Sequence, residues 1–160
     1  GSRTLNSLLV ERLNPQGSPR IRRFGMSFAP GDKVIQLVND YDKEVFNGDI
    51  GRILAIDEEG GEAAVEVDGR EVVYGLDELD ELAPAYAITI HKSQGSEYPA
   101  VVIPLATAHY VMLERNLLYT GVTRGRELVV IIGQPKALAM AVKTHKARRR
   151  LTYLKERLMA

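Results

Sequence analysis

LLYTGVTRGRELVVIIG, residues 117–133, joins two unlike patterns. The stretch 114–124 reads as a helix that carries Leu117, Leu118 and Tyr119. Leu128 to Gly133 is a short continuous apolar run, as expected of a strand buried on both faces. Thr120, Thr123, Arg124, Gly125 and Arg126 lie between them. A chain that buries both flanks brings two guanidinium groups to the edge of a core. The planar, permanently charged fork of Arg suits a phosphate that must be held by two oxygens at once.

The same alternation extends outward. AVVIPL (100–105) is a second buried-strand pattern, and Pro135 to Lys143 reads as a helix with Pro at its start. A last, basic helix is expected over 144–158. Buried strands alternating with helices predict a parallel, doubly wound α/β sheet from residue 85 onward. Ahead of the first strand stands a polar knot, His91 to Glu97, in AITIHKSQGSEYPAVVIPL (87–105). Ligands in α/β sheets gather at strand ends and helix starts. Thr89, His91, Lys92, Gln94 and Ser96 are able to bond phosphate oxygens, and Glu97 is able to accept from a ribose hydroxyl. Gly95 is expected to allow close backbone approach. On spacing alone the knot reads equally as an ordinary polar connection.

The N-terminal half has another character. Thr4 to Leu13 is expected to be helical, with Leu5, Leu8, Leu9 and Leu13 at helical spacing and Asn14-Pro15 ending it. Residues 14–31 are dense in Pro and Gly and read as an irregular connection. KVIQLV (33–38), IGRILAI (50–56), AAVEVD (63–68) and EVVYG (71–75) are short and β-rich. Asn47-Gly48, Gly60-Gly61 and Asp68-Gly69 punctuate them with residues that tolerate positive φ. This pattern predicts a small antiparallel barrel over 31–83. Phe46 is expected in its core, while Tyr41 is free to stack on a base.

Composition narrows the classes. The chain has 160 residues, 45% apolar, and no Cys, which excludes disulfides and thiolate metal sites. The three His show no close ligand spacing, and no apolar run approaches the roughly 18 residues of a membrane span. A cytoplasmic, reducing setting without membrane contact is expected. Charge is partitioned: net +4 over 1–30, −12 over 31–83 and +8 over 84–160. An acidic module set inside a basic one is the implied arrangement, the basic part facing a polyanion.

Two motifs then become specific together. TIHKSQGSE (89–97) followed by an apolar strand resembles motif V of superfamily 1 helicases, and LLYTGVTRGREL (117–128) is similar to their motif VI. NDYDKEVFNGDIG (39–51) resembles the insert of the RecD-like and TraA-like branch, and LNSLLVERLNP (5–15) the helix after motif IV. The resemblance implies a second RecA-like motor domain, residues 1–30 and 84–160, interrupted by an SH3-like barrel at 31–83. It further implies an enzyme that hydrolyses ATP with Mg²⁺ and moves 5′ to 3′ on single-stranded DNA. Arg124 falls on the arginine finger, and Glu97, Gly95 and Arg126 on the nucleotide side. Thr89, His91, Lys92, Gln94 and Ser96 fall on the DNA side.

No GxxxxGK[ST] occurs in the chain. The cradle for the β- and γ-phosphates is therefore expected in an N-terminal motor domain of the same parent chain. EVVYGLDELDEL (71–82) mimics a strand followed by metal-holding acids, but reads as an acidic turn. A stand-alone nucleic-acid-binding module without ATPase activity and a peptide-binding adaptor stay open as alternatives.

Overall fold

The computed structural model describes residues 1–144, 158 and 159. The helix expected over 144–158 thus lies, apart from its end residues, outside the described residues. The chain forms two compact units, Gly1–Lys92 and Ser93–Ala160.

The first unit opens with helix α1 (Ser2–Leu13). Its expected apolar face is not its buried one: Asn6 and Val10 are buried, whereas Leu5, Leu8 and Leu13 are exposed. Asn6 secures the helix by accepting from the Ala87 N–H and donating to the Ala87 carbonyl. Residues 14–31 are not wholly irregular. They contain a tight hairpin, β1 (Ile21–Arg23) and β2 (Met26–Phe28), turned by Phe24-Gly25. Ile21 and Phe28 face each other across it and enter the core of the neighbouring barrel.

That barrel is a five-stranded antiparallel sheet. Its strands are β3 (Lys33–Gln36), β4 (Ile50–Asp57), β5 (Glu62–Val67), β6 (Arg70–Gly75) and β7 (Leu82–Pro84), in the order β6-β5-β4-β3-β7. Strand alternation sends Val34, Ile53, Val65 and Tyr74 inward, where they meet Phe28, Val45, Leu79 and Leu82. The Tyr74 hydroxyl donates to Gln36 Oε1 at 2.9 Å. Burial, reinforced by the Glu81 carboxylate, pushes its pKa up to about 12. Phe46 is not in this core. It is 47% exposed and sets its ring edge-on to Tyr41 at 6.0 Å, while Val45 next to it takes the buried place.

The second unit begins with β8 (Tyr98–Leu105), followed by a 3₁₀ segment (Thr107–Met112), α2 (Arg115–Val122), β9 (Gly125–Gly133) and α3 (Pro135–Lys143). β8 and β9 pair in parallel, with Val101 opposite Val129 and Ile103 opposite Ile131. Leu113, Ala137 and Ala141 form a small buried cluster with Leu118 and Met140 beside it. The expectation of strands buried on both faces fails here. Ile103 is the buried member of the pair, and Val102, Leu128 and Ile132 are more than half exposed. The physical reason is that two strands leave both edges and much of their faces without cover among the described residues.

Candidate nucleotide and nucleic-acid site

Thr89, His91 and Lys92 are exposed at the end of the first unit. Thr89 closes a turn there, its carbonyl accepting from the Lys92 N–H at 3.0 Å. Gln94, Gly95, Ser96 and Glu97 follow Ser93 at the start of the second unit. Gly95 has φ +87°, and a Cβ built on it would meet nothing within 4 Å. A left-handed backbone therefore explains this glycine, not close approach of another group among the described residues.

The second unit brings the two polar stretches together. Tyr98 and Gly125 are partners where the parallel strands start, and the Tyr98 N–H donates to the Arg124 carbonyl at 2.8 Å. Ser96 and Glu97 thus lie beside Arg124 and Arg126. Helix α2 ends at Val122 and frees its last carbonyls. Thr123 Oγ1 and Arg124 Nε both donate to the Thr120 carbonyl, at 3.0 and 3.2 Å. Arg124 Nη1 donates to the Ser96 carbonyl at 3.0 Å, and Nη2 donates to Thr123 Oγ1 at 3.3 Å. Three of the five guanidinium N–H groups are thereby engaged, and among the described residues two remain to meet an anion. Arg126 is two-thirds exposed and approaches Glu97 only to 3.9 Å. Such a surface pair has little energetic weight. Gly125 is required sterically, because a Cβ there would fall on the Val129 side chain.

Lys33 and Arg52 are cross-strand neighbours. Burial, with help from the Arg52 charge, lowers the Lys33 pKa. Lys43 turns the other way, to Asp40 at 2.7 Å and Glu78 at 3.0 Å, above the Tyr74 ring. Partial burial alone would lower its pKa, but the two carboxylate hydrogen bonds outweigh it and raise it. The acids of the 71–82 stretch are likewise taken up locally. Glu78 also accepts from the Gly75 N–H, and Glu81 accepts from Gln36 Nε2.

Asp32 escaped the sequence reading. It is 0% exposed and accepts from Asn14, Tyr86, Arg20 and the Ala29 N–H. Arg20 also donates to the Asn14 carbonyl at 2.7 Å. One carboxylate thus ties the end of α1, the foot of the hairpin, the start of β3 and the segment after β7. The only sequence signal was an Asp after Pro-Gly, which also fits an exposed turn.

Residues 84–132 match the UvrD-like helicase C-terminal domain, and residues 5–68 match the SH3 domain of ATP-dependent RecD-like DNA helicases. The fold and the paired motifs define the class: the C-terminal region of superfamily 1 helicases. Within it, the chain belongs to the RecD-like family. It is 39% identical over 98% of its length to the ATP-dependent RecD2 DNA helicase of Deinococcus radiodurans, covering 21% of that protein. It is 32% identical over 86% of its length to the RecBCD enzyme subunit RecD of Haemophilus influenzae, again covering 21%. The chain therefore spans about a fifth of the length of these curated relatives. Among solved structures, it matches the Pif1 helicase from Bacteroides in complex with ADP-AlF3 and ssDNA at a TM-score of 0.63. That match has 18% identity and covers 98% of this chain and 42% of the other, a likeness of fold.

Proposed function

We propose that the chain is the second motor half of an ATP-dependent 5′–3′ DNA helicase in the cytoplasm. In this reading residues 1–30 and 84–160 belong to the motor domain and 31–83 are its inserted barrel. Arg124 is the arginine finger toward a nucleotide held mainly by an N-terminal motor domain of the same parent. Glu97, Gly95 and Arg126 serve the nucleotide side. Thr89, His91, Lys92, Gln94 and Ser96 serve the single-stranded DNA.

The observation that carries the proposal is the Arg124–Ser96 contact. It joins the two motif stretches through a guanidinium that keeps two N–H groups for another acceptor. These stretches meet at the amino ends of β8 and β9, whereas ligands of open α/β sheets are held beyond the carboxyl ends. A finger that reaches a nucleotide bound elsewhere does not need that crevice. Mg²⁺ supplies charge neutralisation on the phosphates when bound. Among the described residues no group of three or more His, Asp or Glu is gathered to hold it.

The test uses the parent enzyme. Arg124→Ala is expected to cut DNA-stimulated turnover by roughly 10³-fold or more, the scale of arginine fingers. Arg124→Lys is not expected to rescue it, because a point charge does not reproduce the planar fork. DNA affinity without nucleotide should change little. Near-normal turnover in Arg124→Ala would overturn the assignment.

A further inference from the structure

The β1–β2 hairpin carries an anomaly at its tip. Phe24 and Gly25 both have positive φ, +51° and +72°, as a two-residue mirror-image turn requires. Gly suits that backbone, and Asn or Asp suits the first position. A bulky aromatic there is a steric outlier. Phe24 gains only partial burial in return, since it is 55% exposed. An exposed ring held in a strained backbone is a feature to connect with a ligand.

The two sides of the tip differ electrically. On one side lies a shallow hollow lined by Glu58 and Asp77 as well as Arg23. On the other is a groove of about 890 Å³ within the first unit. Val10, Met26, Ile35, Pro84 and Ile88 supply apolar lining. Arg3, Arg20, Arg22 and Lys92 also line it, against the single acid Glu11 among the described residues. Arg20 is committed to Asp32, but Arg3, Arg22 and Lys92 make no ion pair among the described residues. An apolar lining, unpaired cations and a projecting aromatic ring are the parts from which single-strand sites are built: stacking for the bases and charge for the phosphates.

We propose that this groove, with Phe24 as its stacking platform, is a subsite for single-stranded nucleic acid. Arg3 and Arg22 contact the phosphates and the Phe24 ring takes a base face. The inference rests on the functional reading in one respect, because Thr89 and Lys92 of the proposed DNA side line the same groove. It extends the track onto α1 and the hairpin, outside the two motifs.

The 160-residue chain titrated against a labelled oligothymidine tests this. Phe24→Asn removes the ring and suits positive φ better, so the variant should melt no lower than the parent. It is expected to weaken binding by about tenfold, the scale of one base stacked on an aromatic side chain. Arg3→Glu with Arg22→Glu should weaken binding and flatten the salt dependence, by about 0.7 in the log–log slope for each phosphate no longer neutralised. Binding by Phe24→Asn within twofold of the parent, while Lys92→Ala weakens it, would overturn the subsite and leave the functional reading standing. Displacement of the oligonucleotide by polyglutamate of equal charge at equal concentration would overturn it in favour of an acidic peptide. No binding by the parent chain at low salt would also overturn it, while turnover in Arg124→Ala would still judge the function separately.

Discussion

Replacing Asp32 by Asn should unfold the first unit at a much lower temperature, although the two side chains have nearly the same shape. The side chain is 1% exposed, and all four of its partners donate. Oδ1 accepts from Asn14 Nδ2 at 2.7 Å and Tyr86 Oη at 3.1 Å. Oδ2 accepts from the Ala29 N–H at 2.9 Å and Arg20 Nη1 at 3.3 Å. Asn offers one oxygen and one NH₂, so either orientation sets two donors against two donors. An NH₂ in place of Oδ2 would orphan the N–H of fully buried Ala29 and face a guanidinium. The better orientation places NH₂ at Oδ1, where the Tyr86 hydroxyl can turn to accept. Asn14 cannot turn without cost, because its Nδ2 also donates to the Pro30 carbonyl at 2.9 Å. Losing one charge-assisted bond and stranding one buried donor costs about 2–4 kcal/mol together. Asp32→Ala should cost about 3–5 kcal/mol, since it leaves Arg20 without its carboxylate. In a unit of this size each kcal/mol moves the midpoint by roughly 4–8 °C. Asp32→Asn should therefore melt about 10–30 °C lower by calorimetry or circular dichroism. A midpoint within about 3 °C of the parent would mean that the four-donor arrangement does not hold the unit together.

Three further outcomes follow from the same structure. The Lys43 hydrogen bond lowers the Asp40 pKa, and the Gly75 N–H followed by Lys43 lowers that of Glu78. Stability from depressed carboxylates is present above their unfolded values, near 4, and is lost as pH falls through the folded ones. Lys43→Met should accordingly flatten the decline of the melting midpoint below about pH 5, and parallel pH curves for the two proteins would refute the coupling. Tyr74 runs in the opposite sense: its folded pKa of about 12 lies above the ordinary value, so stability should be lost as pH rises between about 10 and 12. Tyr74→Phe should remove that alkaline loss in a pH series of urea midpoints. Gly133→Ala should destabilise the second unit by about 1–3 kcal/mol, because the added Cβ would fall on the Leu105 backbone, which cannot give way; an unchanged urea midpoint would refute this.

Much was legible in the sequence because local physics dictated it. The barrel strands followed from β-branched runs separated by Asp-Gly and Gly-Gly, and α3 from Pro135 at its start. The two motif stretches were legible as charged residues between apolar runs. Other elements were hidden by ambiguity. β7 carries Pro84 after an acidic run, a composition unlike a central strand; it is in fact an edge strand, where Pro is tolerated. The β1–β2 hairpin was obscured by the Pro and Gly around it, and by Phe in a place where Asn or Gly would have signalled the turn.

The sequence by itself therefore determined most of the elements, the family and the residue types that bear charge. Periodicity, turn chemistry and motif spacing are properties of neighbours along the chain. Tertiary structure decided which of those charges are committed and which remain available. Arg20 is spent on Asp32 and Lys43 on Asp40 and Glu78, while Arg22 and Lys92 line an open groove. It also decided that Val45, not Phe46, enters the core, and that β8 and β9 keep exposed apolar faces. Each of these outcomes depends on partners distant in sequence, and a hydrogen bond or buried contact exists only once folding has brought both groups together.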